Sequence, residues 1–129
     1  MSECPFCKIV SKEMKAFVLS ENETMITFLS LENHPLVVPK KHIKDIYELD
    51  ETTGTEIMKA LVKTAQIVKK GMKCDGIYIT QANESAAGQD VFHIHFHVYP
   101  RWKDEAMNQV NKVTEEERKS THEKLKEVS

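Results

Sequence analysis

The chain has 129 residues, a formal net charge of −2 at pH 7 and 40% hydrophobic residues, which describes one ordinary globular domain. This charge balance gives no support to a nucleic-acid-binding or membrane-surface protein, because both need an excess of Lys and Arg. No stretch approaches the roughly 18 consecutive apolar residues of a membrane span. Three cysteines and an N-terminus without a signal-like pattern predict free thiols in a reducing cytoplasm.

The chain begins with a Cys-x-x-Cys pair, Cys4 and Cys7. Such a pair is typical of half a zinc site or of a redox centre, and it also occurs by chance. A zinc site requires two further ligands from elsewhere in the chain. Phe6 and Ile9 predict the apolar side of a short helix in this segment.

Three strands are predicted between residues 16 and 39. Residues 16–20 and 25–29 are apolar, β-branched runs separated by a turn at Asn22, so they predict a hairpin. Residues 34–39 predict the third strand, which Pro35 and Pro39 confine. His42 follows at the exit of this strand, a suitable place for a ligand.

Residues 50–70 predict one long helix. Thr53 and Glu56 fit a capping box at its start, and Gly71 fits a stop at its end. Apolar residues at three- and four-residue spacing predict that one face covers the back of the sheet. This stripe consists of Ile57, Met58, Leu61, Val62, Ala65 and Val68.

A further strand is predicted at residues 77–81, and a loop of small polar residues follows at 82–89. Backbone N–H groups in such a loop can approach an anion closely, although a plain hairpin connection has the same composition. The loop matches neither GxxxxGK[ST] nor GxGxxG. Both interpretations of the loop therefore remain open from its composition.

Three of the six histidines, His93, His95 and His97, alternate with apolar residues between positions 91 and 99. Period-two alternation predicts a strand with the histidines on one face. Its other face would consist of Phe92, Ile94, Phe96 and Val98. Imidazole serves as metal ligand, nucleophile or proton carrier near neutral pH. The row therefore predicts a metal site or a set of groups around a reacting phosphate.

The metal and phosphate interpretations are compatible with each other. Cys4, Cys7 and His42 with one of the three histidines would complete a Cys2His2 tetrahedron, the closed arrangement of structural zinc sites. His93 is the candidate fourth ligand, because it lies at one end of the row and leaves His95 and His97 adjacent.

The C-terminal residues predict a helical extension. Thr114 and Glu117 fit a second capping box, and a helix over residues 115–128 would carry a thin apolar stripe at Leu125 and Val128. We therefore expect one domain at residues 1–103 and an extension at 104–129 on its surface, with His122 in solvent.

Four segments of the chain resemble, in order, the motifs of the histidine triad (HIT) superfamily. CPFCKI at residues 4–9 is similar to the family's CxFCKI start, and HPLVVPKKH at 34–42 to its HxLVIPKxH segment. AGQDVF at 87–92 resembles its AGQxVxH approach, and HIHFHVY at 93–99 its HφHφHφφ motif. Within this superfamily of nucleotide-binding proteins and hydrolases, the chain resembles the zinc-containing bacterial-type members.

This resemblance implies an α+β fold with a mostly antiparallel five-stranded sheet, packed by one long helix, with short N- and C-terminal helices, in a homodimer. It also implies a nucleotide hydrolase or transferase. The enzyme would cleave at the α-phosphate of a nucleoside phosphoramidate or dinucleoside polyphosphate, with a purine nucleotide, foremost adenosine, as substrate. A nucleotide-binding regulatory or partner-binding module with little turnover is the alternative.

The resemblance also implies individual roles. His95 would attack phosphorus and form a nucleotidyl-histidine intermediate, His97 would bind the phosphate oxygens, and His34 would orient the imidazoles. The zinc ligands would be Cys4, Cys7, His42 and His93, and zinc is the cofactor. The substrate pocket would consist of Phe6, Ile9, Phe28, Leu31, Asn83 and Gln89.

Three positions depart from the family pattern. Ser30 stands where the family often has Asp, and Ala82 where it often has Asn or Gln. Asp90 stands where Ser or Thr is frequent, and a carboxylate beside a phosphate would repel it. These departures bear on the identity of the substrate more than on the class of reaction.

Overall fold

The computed structural model describes residues 3–105 and 113–129. Its strands are β1 (Val18–Glu21), β2 (Met25–Leu29), β3 (Pro35–Pro39), β4 (Gly76–Thr80) and β5 (Phe96–Arg101), and its α-helices are α1 (Pro5–Val10), α2 (Glu51–Met72) and α3 (Glu115–Glu127). The strands form one sheet in the order β1-β2-β3-β5-β4, and every pairing is antiparallel. The expected α+β fold, a five-stranded sheet with one long helix and shorter terminal helices, is confirmed.

One face of the sheet packs against α2. Leu29, Val37 and Val98 from the sheet share a buried cluster with Leu61 and Val68 of the helix. The predicted apolar stripe of α2 is only partly correct, because Met58 and Val62 are 59% and 50% exposed. The buried face of α2 includes Thr64 in place of these two residues.

The other face of the sheet carries α1. Phe6 and Ile9 of this helix pack on Ile26, Phe28 and Val38, all of which belong to β2 and β3. The apolar cluster under α1 contains no residue of β4 or β5. The short helix therefore leaves the β5 side of this face for the histidines.

The histidine segment is not one continuous strand, contrary to the alternation. Strand β5 begins at Phe96, so His93 and His95 lie in the preceding irregular segment. The N–H of Ile94 donates to the carbonyl of Ile43 at 2.7 Å, which ties the segment to the chain after β3. Phe92 is exposed, and Ile94 and Val98 alone of the expected stripe are fully buried.

Both ends of α2 differ from the prediction. The N-cap is Asp50, whose carboxylate accepts from the N–H of Thr53 at 2.7 Å, so Thr53 does not cap the helix. At the other end the helix passes Gly71 and stops at Lys73, which has a left-handed φ of 51°. A Cβ at Gly71 would lie 2.8 Å from Cδ2 of Leu125. Gly71 therefore provides space for α3 instead of ending α2.

Helix α3 is part of the core. Thr114 and Glu117 form the predicted capping box, and Leu125 is fully buried in the cluster beneath α2. The expectation that His122 lies in solvent is wrong, because its Nε2–H donates to the carbonyl of Val18 at 2.8 Å. None of the helices within the described ranges is long and apolar enough to cross a bilayer.

Candidate functional site

Four side chains from three parts of the chain meet at the start of α1. Cys4 is the N-cap of this helix and Cys7 lies in its first turn, while His42 follows β3 and His93 precedes β5. One ligand atom from each residue lies within 4.8 Å of all the others. Cys4 Sγ is 3.4 Å from His93 Nδ1, and Cys7 Sγ is 3.3 Å from His42 Nδ1. The structure therefore brings the predicted ligands together.

The ring of His93 is oriented for this cluster. Its Nε2–H donates to the carbonyl of Pro39 at 2.7 Å, so Nδ1 carries the lone pair that faces the thiols. Burial lowers the pKa of His93, which favours the neutral imidazole that metals bind. Such a backbone contact on the second ring nitrogen is typical of a metal-bound histidine.

The cluster passes a geometric test for a tetrahedral metal ion. Ligands about 2.0–2.3 Å from a zinc ion lie roughly 3.3–3.8 Å from one another, and three of the four sulfur–nitrogen distances are 3.4, 3.3 and 3.6 Å. Burial, together with a hydrogen bond that the Cys7 thiol donates to Cys4, raises the pKa of Cys7 to about 11. A bound cation would reverse this preference and hold the thiolate. The Cys/His cluster can therefore bind a metal ion.

His95 presents one ring nitrogen to the open side of the sheet. Its Nδ1–H donates to the carbonyl of His93 at 2.8 Å, so Nε2 must carry the lone pair. Nε2 lies 3.7 Å from an Asp90 carboxylate oxygen, and the edge of Phe6 packs on the ring at a centroid distance of 5.0 Å. The residue is 6% exposed. A buried imidazole held in one tautomer, with a free lone pair, has the properties of a nucleophile.

A chain of hydrogen bonds orients His97 so that its free ring nitrogen is an N–H donor, whereas the free ring nitrogen of His95 carries a lone pair. Ser30 Oγ accepts from the N–H groups of Glu32 at 3.1 Å and His34 at 3.3 Å, which fills its two lone pairs. Its own proton therefore points to His34 Nδ1, 3.1 Å away. His34 Nε2–H then donates to His97 Nδ1 at 2.8 Å, which leaves the second nitrogen of His97 as an N–H donor.

Both members of this imidazole pair are neutral at pH 7. Burial, reinforced by the neighbouring His97, lowers the pKa of His34 to about 3. Burial and the nearby His95 lower the pKa of His97 to about 4. A neutral His97 can donate a hydrogen bond to an anion without a buried charge in the free protein.

Two residues of this arrangement are absent from the predicted site. Ser30 orients His34, although the sequence comparison treats it only as a departure from an expected Asp. Tyr99 stacks on His97 with an interplanar angle of 9°, and its ring centroid lies 4.0 Å from that of His34. The position of Tyr99, two residues after His97 in the alternating pattern, could have indicated their shared face. For Ser30 the sequence shows only a departure from the family pattern and gives no sign of its bond to His34.

The predicted base-pocket residues divide into two groups. Phe6, Ile9 and Phe28 are buried in the cluster beneath α1, and Phe6 contacts the ring of His95. Leu31 is 76% exposed and lies in the turn before β3. The structure therefore places three of the four in one buried apolar cluster, the apolar wall, which meets His95 through Phe6.

The predicted phosphate-binding side chains have other partners. Gln89 is buried, and its carboxamide accepts from the N–H of Glu84 and donates to the carbonyls of Lys44 and Val91. Asn83 Oδ1 accepts from the N–H of Ile46. These contacts brace the loop at residues 82–89 and leave no side-chain donor of Gln89 for a phosphate.

The comparisons with known proteins agree with this geometry. The model of the HIT domain matches residues 11–104, and the chain belongs to this family. An uncharacterised HIT-like protein of Methanocaldococcus jannaschii is 36% identical over 129 residues, which covers 97% of this chain and 98% of that protein.

Two further relatives are named for a reaction or a metal. Adenosine 5′-monophosphoramidase of Saccharomyces cerevisiae is 34% identical over 102 residues, 76% of this chain and 62% of that enzyme. A zinc-bound histidine triad family protein from Mycobacterium smegmatis superimposes with a TM-score of 0.84 at 28% identity, covering 98% of this chain and 93% of that one. The family thus includes a nucleotide hydrolase and a zinc-bound protein.

Proposed function

We propose that the protein is a nucleotide hydrolase or nucleotidyl transferase that cleaves at the α-phosphate of a nucleoside phosphoramidate or dinucleoside polyphosphate. The observation that carries this proposal is the tautomer of His95, whose Nδ1–H is bonded to the carbonyl of His93 so that Nε2 is free to attack. The name of the yeast relative supports a nucleoside phosphoramidate as one substrate class.

The reaction proceeds in two displacements. Nε2 of His95 forms a bond to the α-phosphorus while the bond to the leaving group breaks. Water then attacks the nucleotidyl-histidine, releases the nucleoside monophosphate and restores His95. Two steps of this kind each have a lower barrier than a single displacement by water. His97, oriented by His34, donates Nε2–H to a phosphate oxygen and stabilises the charge that develops there.

The nucleoside lies against the apolar wall in this proposal. Phe6, Ile9 and Phe28 form a buried surface next to His95, which suits the flat face of a purine such as adenine. Leu31 is exposed in the turn before β3 and would close over the base. Asn83 and Gln89 contribute by holding the loop that faces the phosphates.

The metal in the Cys/His cluster is structural zinc in this proposal. The two thiols and two imidazoles match the Cys2His2 set of closed zinc sites, and the relative from Mycobacterium smegmatis binds zinc. Zinc would fasten α1, the chain after β3 and the segment before β5 to one another. His93 would thereby fix the carbonyl that orients His95.

Three further points belong to the same proposal. Strand β4 pairs on one side only, with β5, in the described part of the chain, and Ile79 on this strand is exposed, which supports a homodimer across this edge. Residues 1–103 act as the HIT domain and 104–129 as its extension. The three free cysteines support a cytoplasmic location. Sedimentation at the mass of a monomer would contradict the dimer.

Turnover by matched histidine variants tests the proposed function. Wild type should release AMP from an adenosine phosphoramidate or a diadenosine polyphosphate, and His95→Asn should lower kcat/KM about 10³-fold or more. His122→Asn, which removes a histidine remote from the site, is the control and should retain activity. Tight binding of the nucleotide without release of product would favour the alternative, a nucleotide-binding module.

A further inference from the structure

A cavity lies beside Asp90, the residue whose carboxylate is 3.7 Å from Nε2 of His95. Its volume is about 390 Å³, and it lies between the N-terminal segment and the irregular segment before β5. Its lining residues are Glu3, Cys4, Pro5, His42, Asp90, Val91 and Phe92. Cys4 and His42 belong to the metal cluster, so the remaining walls are apolar except for two carboxylates.

Asp90 connects this cavity to the reaction centre. One carboxylate oxygen is 3.7 Å from Nε2 of His95, while 83% of the side chain is exposed. The carboxylate also opposes the burial that lowers the pKa of His97, so its field reaches both imidazoles. Among the described residues, no lysine or arginine forms an ion pair with Asp90 or Glu3.

The position of Asp90 affects whichever group leaves phosphorus. A phosphorus in position for attack lies about 3–3.5 Å from the nucleophile, so its substituents fall within reach of Asp90. A polyphosphate leaving group carries negative charge that an exposed carboxylate repels. The nitrogen of a phosphoramidate takes a proton before the P–N bond breaks, and a carboxylate attracts the positive charge that the nitrogen carries until it leaves as a neutral amine.

We propose that this cavity is the leaving-group site and that Asp90 makes the enzyme selective for phosphoramidates of alkylamines over dinucleoside polyphosphates. The inference rests on the proposed function and names the substrate class of that site. Val91, Phe92 and Pro5 contact the alkyl chain, and Asp90 with Glu3 contacts the amine end of the cavity.

The protons and bonds balance in this scheme. Nε2 of His95 forms the P–N bond to the enzyme, and the electron pair of the substrate's P–N bond goes to the amine nitrogen. That nitrogen takes one proton, which Asp90 relays from solvent because it faces both solvent and Nε2. In the second displacement, the attacking water loses one proton, and Asp90 passes this proton back to solvent.

The test compares two leaving groups on one nucleotide. The kcat/KM values for an adenosine 5′-phosphoramidate of an alkylamine and for diadenosine tetraphosphate are measured for wild type, Asp90→Asn and Asp90→Ser. The ratio compared is kcat/KM for the phosphoramidate divided by kcat/KM for diadenosine tetraphosphate. Both variants should lower this ratio about 100-fold, since charge-bearing acid–base groups contribute roughly 10²–10⁴-fold. Glu84→Gln, a loop carboxylate bonded to Tyr47, is the matched control and should leave the ratio unchanged.

The outcomes separate this inference from the proposed function. An unchanged ratio in both Asp90 variants, with turnover retained or lowered equally for both substrates, overturns the leaving-group assignment and leaves the nucleophile intact. Absence of turnover of either substrate by folded wild type overturns both. A ratio that falls in Asp90→Asn and Asp90→Ser but not in Glu84→Gln supports the assignment.

Discussion

His95 and His97 are two residues apart and have opposite hydrogen-bonding roles. A backbone carbonyl accepts from Nδ1 of His95, while Nδ1 of His97 accepts from another imidazole. One ring therefore presents a lone pair and the other an N–H. These two properties are the ones that a nucleophile and an oxyanion donor require.

The buried neutral state of His34 predicts a pH dependence of stability. Its pKa is about 3 in the folded protein and about 6.5 in an unfolded chain. Between these values the unfolded state binds the proton and the folded state does not, so stability is fully present above about pH 6.5 and falls as the pH decreases. The expected loss from His34 between pH 6.5 and 5 is about 1–2 kcal/mol.

Denaturant unfolding of wild type and His34→Gln at several pH values measures this contribution. The slope of the unfolding free energy between pH 5 and 6.5 should be smaller in the variant. Acid-induced metal loss and the histidines that do not contact His34 are common to both proteins and cancel in the comparison, so the difference in slope reports His34 together with its partner His97. Equal slopes would show that His34 titrates normally in the folded state.

The sequence indicates which residues form the site but not how each is used. The spacing of His93, His95 and His97, with Cys4 and Cys7, is sufficient to predict the residues that meet. The tautomers depend on carbonyls of Pro39 and His93, and backbone direction in an irregular segment has no periodic sequence signal. The partners of Gln89 could not be predicted for the same reason.

At the scale of elements, α3 is joined to α2 by close packing at a glycine. Gly71 lies in the last turn of α2, and its missing Cβ admits the side chains of Leu125 and Val128. The carbonyl of Val18 and the ring of His122 add a hydrogen bond between α3 and β1. The C-terminal helix therefore stabilises the sheet that carries the histidines.

Leu125→Ala tests this packing. Removal of a fully buried leucine should destabilise the protein by about 2–4 kcal/mol, whereas Leu31→Ala, at an exposed leucine, should change the unfolding free energy by less than about 0.5 kcal/mol. Chemical denaturation followed by circular dichroism measures both values. A change in Leu125→Ala no larger than in Leu31→Ala would show that α3 is a dispensable surface helix.

Most helices and strands could be predicted from periodicity, turn residues and capping boxes. The long helix, the hairpin and the capping box at Thr114 follow from local sequence. The burial of Leu125 could not be predicted, because the apolar stripe of α3 is thin and its partner surface arises only in the folded sheet. The exposure of Met58 could not be predicted either, because helical spacing does not show how wide a face of α2 the sheet buries.

At the scale of the molecule, the Cys/His cluster joins segments that are distant in sequence. It connects the start of α1 to residues after β3 and before β5. Because His93 is both a cluster member and the residue whose carbonyl orients His95, loss of the metal should disturb the nucleophile as well as the fold.

Elemental analysis of purified protein tests the metal. Wild type should contain about one zinc ion per chain, and Cys4→Ser should lose it and unfold at a lower temperature. Cys74→Ser removes a cysteine outside the cluster and should keep its zinc. Full zinc content in Cys4→Ser, or none in wild type, would contradict the Cys2His2 assignment.

Capture of the covalent intermediate tests the role of His95 most directly. Wild type is mixed with an adenosine phosphoramidate, quenched within one turnover under alkaline conditions, and examined by intact-mass and peptide mass spectrometry. We predict one adenylyl group on His95, absent in His95→Asn and present in His122→Asn. Release of AMP without any adduct in the first turnover, or an adduct on another residue, would contradict the proposed mechanism.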